Sequence, residues 1–209
     1  MEIDRPGPGE ELNLGAITVP RAAATVILLR GGAERLELLL VQRTPEARFM
    51  GGAWVFPGGA VDRSEGDGQP ALRAAAVREL REEAGVSLHE TAELIAYSRW
   101  ITPAAVKIRF DTWFYLTTMP ADAEPQIDGQ EIVDYRWCSP PEALDAYAAG
   151  DLTLVFPTIK HLEQLSAFSS TDELLAYARG RTVEPIEPRV KMSGETARIV
   201  LPGEPGYDS

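Results

Sequence analysis

Only one cysteine, Cys138, occurs in 209 residues, so the chain has no internal disulfide and no multi-cysteine zinc site. Cys138 is expected to be a small buried hydrophobe on a strand. Histidine is nearly as scarce. His89 and His161 stand far apart without ligand spacing and are expected to be structural or surface residues. Positive charge is also in deficit: Lys plus Arg number 20 against 32 Asp plus Glu, a formal net charge of −12. A chain this acidic is poorly suited to coating nucleic acid or an anionic membrane, because phosphate contacts draw on Lys and Arg. It can still take a phosphate ester if metal ions sit between the two negative partners. Long apolar runs are missing too. Ala22 to Leu29 and Leu36 to Val41 fall far short of the roughly 20 residues that span a bilayer. The N-terminus, MEIDRPGPGEEL, is acidic and Pro/Gly-rich, unlike a signal or transit peptide, and the expected compartment is the cytoplasm. What is present, 44% hydrophobic and 25% charged residues, describes a globular domain with one core and appendages.

Residues 1–16 read as a disordered or loosely docked tail. Ile17 to Arg30 is apolar and β-branched, which suits a strand buried on both faces. Gly31-Gly32 supplies a turn, and Leu36 to Arg43 is its hairpin partner. Residues 44–70 are irregular and glycine-rich, with a backbone able to approach something closely. Ala71 to Ala84 is the clearest helix, with Pro70 at its start and Gly85 just past its end. Ala92 to Ile101, Lys107 to Thr118 and Glu131 to Cys138 read as strands. Pro141 to Ala149, Thr158 to Phe168 and Asp172 to Arg179 read as helices. The remainder is an extended arm with one short strand, Ala197 to Leu201. This order predicts a mixed central sheet with helices on both faces, a three-layer α/β/α sandwich over residues 17–165. Residues 166–209 add a C-terminal helix and the arm, which is expected to cover a sheet edge or to reach a second copy in a homodimer.

Chemistry concentrates in Arg78-Glu79-Leu80-Arg81-Glu82-Glu83-Ala84-Gly85-Val86. Glu79, Glu82 and Glu83 stand at i, i+3 and i+4 and share one helix face. Three like charges so close destabilise a helix unless a cation neutralises them. Oxygen-only clusters select hard cations such as Mg²⁺ or Mn²⁺. Such metals bridge carboxylates to phosphate oxygens and activate water. A solvated acidic face paired with Arg78 or Arg81 fits this nonapeptide equally well. The loop before it, Phe56-Pro57-Gly58-Gly59, tips the balance toward a site.

Together the two segments resemble the Nudix hydrolases, whose signature is G-x5-E-x7-R-E-U-x-E-E-x-G-U with U apolar. Arg78, Glu79, Leu80, Glu82, Glu83, Gly85 and Val86 match every specified position of its second half. The first half departs from it. Glu65 falls at the pattern's first Glu when counted from Gly59, but Arg78 follows 13 residues later instead of eight, so the loop carries about five extra residues. The resemblance implies that Glu82 and Glu83 are metal ligands and Glu79 a ligand or general base. It implies that Arg78 orients Glu79 or Glu82, and that the Gly58 carbonyl completes the metal shell. Glu131, with Asp128 second, is the candidate for a further catalytic carboxylate before the last core strand.

Gln42-Arg43-Thr44 and the stretch from Arg48 to Gly59 resemble a Nudix subgroup related to the coenzyme A diphosphatases. Trp100 to Pro103, Arg109 to Thr112 and Leu201 to Pro205 do so as well. This resemblance implies cleavage of coenzyme A, or an acyl form, into 3′,5′-ADP and a 4′-phosphopantetheine. ADP-ribose or a dinucleotide is the alternative substrate, and a non-catalytic nucleotide sensor the alternative class. Arg43, Arg48 and Lys107 are candidates for phosphate contacts and Trp54 for lining the pocket. Trp100, Trp113 and Trp137 are expected in the core. Asp111 is either a partner for Arg109 or a site residue.

Overall fold

The central strand is built from side chains that are apolar in both alternating sets. In the computed structural model, which describes residues 2–3, 13, 15–193 and 196–208, β1 spans Glu2–Ile3, β2 Arg21–Arg30 and β3 Glu37–Arg43. Val26 and Leu28 of β2 pack under a helix on one face, while Ile27 and Leu29 enter the core on the other; all four are fully buried. A strand covered on both sides is expected to read as a continuous apolar run, as this one does.

The chain continues through β4 (Trp54–Val55), β5 (Gly58–Ala60), a 3-10 turn at Arg63–Glu65 and α1 (Gly68–Ala84). Then follow β6 (Ile95–Ile101), β7 (Phe110–Thr118) and β8 (Ile132–Cys138). Next come α2 (Pro140–Ala149), α3 (Phe156–Leu165) and α4 (Thr171–Arg179). The arm carries β9 (Pro185–Ile186), β10 (Arg189–Ser193) and β11 (Thr196–Val200). The main sheet runs β4-β3-β2-β7-β6-β9, with β8 on the outer edge of β3 and β5 sharing β2. It is mixed: β2 and β7 are parallel from Arg21↔Phe110 to Leu29↔Thr118, whereas β6 and β7 are antiparallel. Helix α1 covers one face, and α2, α3 and α4 cover the other. This is the expected three-layer α/β/α sandwich. Among the described residues no helix is long and apolar enough to cross a membrane.

Differences from the sequence reading have local causes. Helix α1 begins at Gly68, ahead of Ala71, because Pro70 is tolerated in a first turn whose N–H groups have no helical partners anyway. β4, β5 and β9 are two or three residues long, and β10 is the five-residue hairpin partner of β11, so no periodicity marks them. Most of the expected tail lies outside the described residues. Glu2 and Ile3 do not lie loose: they pair with Arg198 and Ala197 of β11 in a small separate sheet with β10. Asp111 is paired with Arg99, not Arg109, through two bonds of 2.8 and 2.6 Å. Arg109 instead holds the Thr102 and Thr18 carbonyls and Glu187. Neighbouring strands bring Arg99 beside Asp111, a contact that spacing along one strand does not reveal.

Candidate metal centre

Helix α1 supplies the carboxylates, and its packing decides where they point. Ala71, Leu72, Ala75, Ala76, Leu80 and Ala84 are buried against the sheet. The alanines let the helix lie close to β2 and β5. Its C-terminus is closed by Gly85 at φ 66°, with Gly85 N–H on the Arg81 carbonyl and Val86 N–H on that of Leu80. A side chain at Gly85 would also collide with the backbone of Gln126. Only glycine satisfies both demands.

Strand β5 then meets the helix. Val61 N–H donates to the Ala22 carbonyl and Val26 N–H to that of Pro57, so in this antiparallel ladder Gly59 faces β2. Gly58 and Ala60 turn their polar groups the other way. Gly58 N–H donates to Glu83 Oε2 at 2.8 Å, and the Ala60 carbonyl accepts from Arg78 Nη2 at 3.0 Å. The Gly58 carbonyl is likewise turned away from the ladder. Gly59 leaves room for Glu79, whose carboxylate occupies the space a Cβ would need.

Arg78 is the hub. Its Nη1 donates to Glu79 at 2.7 Å and to Glu82 at 3.0 Å, and its Nε to Glu65 Oε1 at 3.0 Å. Glu65 in turn accepts the Asp62 N–H at 2.6 Å, closing a capping box on the 3-10 turn. The extra loop residues therefore do not remove Glu65; the chain doubles back through Gly66 and Gly68 and keeps its carboxylate under Arg78. A second guanidinium, Arg43 on β3, donates to Glu83 at 3.4 Å and to Glu131 at 3.0 Å. Asp128 accepts the N–H groups of Gln130, Glu131 and Ile132 and is spent on shaping the loop that carries Glu131.

Five carboxylates thus face two guanidiniums. Glu83 is 4% exposed. Burial pushes its carboxyl up to about 8; the Gly58 N–H and Arg43 pull against this, and the charges of Glu79 and Glu131 add to it. Burial also raises Glu79 despite Arg78. Arg78 is held firmly protonated, chiefly by Glu65. Glu82 is half exposed and stands at the rim. Among the described residues no three of these carboxylates converge on one point; each is drawn to an arginine or an N–H instead. The donor set is all oxygen, carries surplus negative charge and includes an outward-turned carbonyl. That chemistry fits a hard divalent cation.

A sequence model described as the NUDIX domain matches residues 19–157. The chain belongs to the Nudix hydrolase family. These enzymes are pyrophosphate hydrolases and generally depend on divalent metal ions. The chain is 33% identical to a Caenorhabditis elegans protein named putative nudix hydrolase 7, over 84% of its own length and 70% of that protein's. It is 29% identical to human acyl-coenzyme A diphosphatase NUDT19, covering 53% of this chain but only 31% of the human protein. The solved structure of a NUDIX hydrolase from Alicyclobacillus acidocaldarius superposes with a TM-score of 0.67 at 26% identity, covering 77% of this chain and 97% of that one.

The Nudix fold brings together Gly58, Arg78, Glu79, Glu82, Glu83, Arg43 and Glu131. It does not bring Trp54, whose indole is 7% exposed and packed in the core on the face away from α1. Arg48 is exposed and has no ion pair among the described residues. Arg43 is engaged with carboxylates, a role its place in the sequence did not suggest. His161 is fully buried, its Nε2 2.6 Å from Ser98 Oγ and its Nδ1 2.6 Å from the Pro157 carbonyl. Cys138 is buried and its thiol pushed up to about 11 by that burial, as befits a core residue. The extra loop residues have a further effect. Gly66, Asp67, Gly68 and Gln69 wall a cleft of about 450 Å³ opposite Arg99, Asp111 and Trp113.

Proposed function

We propose that the protein hydrolyses the pyrophosphate bond of coenzyme A or an acyl-coenzyme A, using Mg²⁺ or Mn²⁺, and releases 3′,5′-ADP and a 4′-phosphopantetheine. The observation that carries this reading is the surplus of carboxylates gathered on Gly58 and Arg78. The choice of coenzyme A is supported by the likeness to proteins named acyl-coenzyme A diphosphatase, which spans about half of this chain.

In this reading Glu79, Glu82, Glu83 and the Gly58 carbonyl hold the metal, which polarises the phosphoryl oxygens and lowers the pKa of water. The chain's own residues do the rest. Arg78 fixes the rotamers of Glu79 and Glu82, and Glu65 fixes Arg78. Glu131 is 59% exposed on its side chain and tethered by Arg43, so it can meet a water at the rim. It takes that water's proton as the oxygen attacks one phosphorus, and the bridging P–O bond breaks toward the other phosphate. In this reading Arg48, which is exposed, contacts a distal phosphate.

The test is a product assay by mass spectrometry with Mg²⁺ or Mn²⁺ and a panel of coenzyme A, acetyl-CoA, ADP-ribose, NADH, diadenosine polyphosphates and nucleoside triphosphates. Release of 3′,5′-ADP and phosphopantetheine, lost in Glu82→Gln, is the expected result. Cleavage of ADP-ribose or NADH alone keeps the site and discards the coenzyme A substrate. No cleavage, with a panel member still raising Tm, discards the enzyme in favour of a sensor.

A further inference from the structure

Strand β8 leaves one edge of the main sheet open. Its inner edge pairs with β3 from Leu38↔Cys138 to Gln42↔Asp134. Among the described residues no strand pairs with its outer edge. The direction of its backbone groups follows from β3. Arg43 N–H donates to the Ala53 carbonyl and Val41 pairs with Val55, so Val41 and Arg43 face β4. Leu40 and Gln42 therefore bond Arg136 and Asp134, and the N–H and carbonyl of Tyr135 and Trp137 point outward. Tyr135 N–H confirms this: it donates to the side chain of Asp134 at 2.8 Å. Val133 and Tyr135 are among the exposed large hydrophobic residues, at 37% and 36%. Arg136 is exposed and has no ion pair among the described residues.

We propose that this edge binds the same edge of a second copy of the chain, antiparallel about a two-fold axis at Tyr135. The order Val133-Asp134-Tyr135-Arg136-Trp137 is self-complementary in that register. Tyr135 meets its counterpart with reciprocal N–H to carbonyl bonds. Asp134 lies opposite Arg136 of the second copy, and Arg136 opposite Asp134. Both are non-hydrogen-bonded pairs, where side chains approach closest. Val133 packs beside Trp137. The neighbouring hydrogen-bonding registers are worse: centring on Asp134 sets two carboxylates side by side, and centring on Arg136 sets two guanidiniums so. The Asp134 carboxylate, which shields Tyr135 N–H in the single chain, exchanges that N–H for the guanidinium. Edge strands left open in this way are templates for pairing, and a two-fold contact is the commonest solution for identical chains. One strand pair is smaller than the interfaces of roughly 1,600 Å² in stable complexes, so the dimer is expected to dissociate at micromolar concentration.

Sedimentation velocity between about 1 and 100 µM tests this on the full chain, a range that brackets micromolar affinity. The wild type is expected to shift from monomer to dimer. Asp134→Arg and Arg136→Asp each place like charges at both symmetric contacts and should weaken association at least tenfold. The double exchange, Asp134→Arg with Arg136→Asp, restores opposite pairs and should recover it. Tyr135→Pro removes an N–H that faces away from β3, and should abolish the dimer while keeping the wild-type Tm. Single reversals that dimerise like wild type overturn the proposal, as does a wild type that stays monomeric throughout. A dimer lost only when residues 184–209 are deleted moves the contact to the arm and overturns it equally.

Discussion

Glu83 is the residue whose replacement should most clearly separate stability from function. Its carboxyl is buried and raised to about 8, whereas an unfolded chain ionises it near 4.5. At pH 7 in EDTA the folded protein therefore keeps Glu83 largely protonated, while the unfolded protein does not. The gap between 4.5 and pH 7 is two and a half pH units at about 1.4 kcal/mol each, a folding penalty of about 3 kcal/mol. Glutamine has no proton to hold and keeps an oxygen for Gly58 N–H. Glu83→Gln should thus raise the stability of the metal-free protein by about 1–3 kcal/mol, the lower figure allowing for the weakened Arg43 contact. For a chain of this length that is about 2–12 °C in Tm. The sign fixes the pH dependence. The folded state binds the extra proton between 4.5 and about 8, so wild-type stability falls as pH rises through that window. The advantage of Glu83→Gln should be below about 1 kcal/mol at pH 5 and widest near pH 8. Calorimetry of both proteins in EDTA at pH 5, 6.5 and 8 measures it. Added Mg²⁺ should stabilise the wild type and leave the variant unmoved. A variant less stable than wild type in EDTA at pH 8, or an advantage that ignores pH, refutes the reasoning.

Other expectations follow from the same contacts. Glu82→Gln should lower kcat by several orders of magnitude at unchanged Tm, since it removes a rim charge that is half exposed; steady-state kinetics and a melting curve check both. Glu65→Gln should lower kcat about 10- to 100-fold with little change in KM, because it frees the guanidinium that positions Glu79 and Glu82. Gly59→Ala should be folded but inactive, because the added methyl displaces the Glu79 carboxylate; retained turnover would contradict that. Burial lowers His161 to about 4 from 6.5, so its neutral form contributes stability that is complete above pH 6.5 and lost as pH falls toward 4. Measured in Glu83→Gln, where the opposing titration is absent, Tm should drop between pH 7 and pH 4.5.

The sequence made the helix and its carboxylates legible because both are local. Leu72, Ala76 and Leu80 recur at helical spacing, Gly85 closes the end, and the glutamates fall at i, i+3 and i+4. The doubly buried β2 was legible for the same reason. Residues whose roles depend on a distant partner were not. Arg43 reads as a phosphate contact until the loop leading into β8 brings Glu131 against it across 88 positions. Glu65 looks displaced by its insertion until the 3-10 turn returns it to Arg78. Trp54 sits beside the glycine loop in sequence, yet its strand turns the indole into the opposite core layer. Spacing along a chain reports on neighbours; it carries little about which loops meet.

The parallel pairing of β2 with β7 sets an order of events in synthesis. The central strand leaves the ribosome before its parallel partner, and nine of its ladder partners lie between Phe110 and Thr118. Until they emerge, β2 has only the β3 hairpin and the short β5 to bond, and its apolar faces have no completed sheet. Contacts of such long sequence separation form slowly, and the waiting segment is open to wrong pairing. A fragment ending before residue 110 should therefore carry every carboxylate of α1 and still lack the platform that orients them.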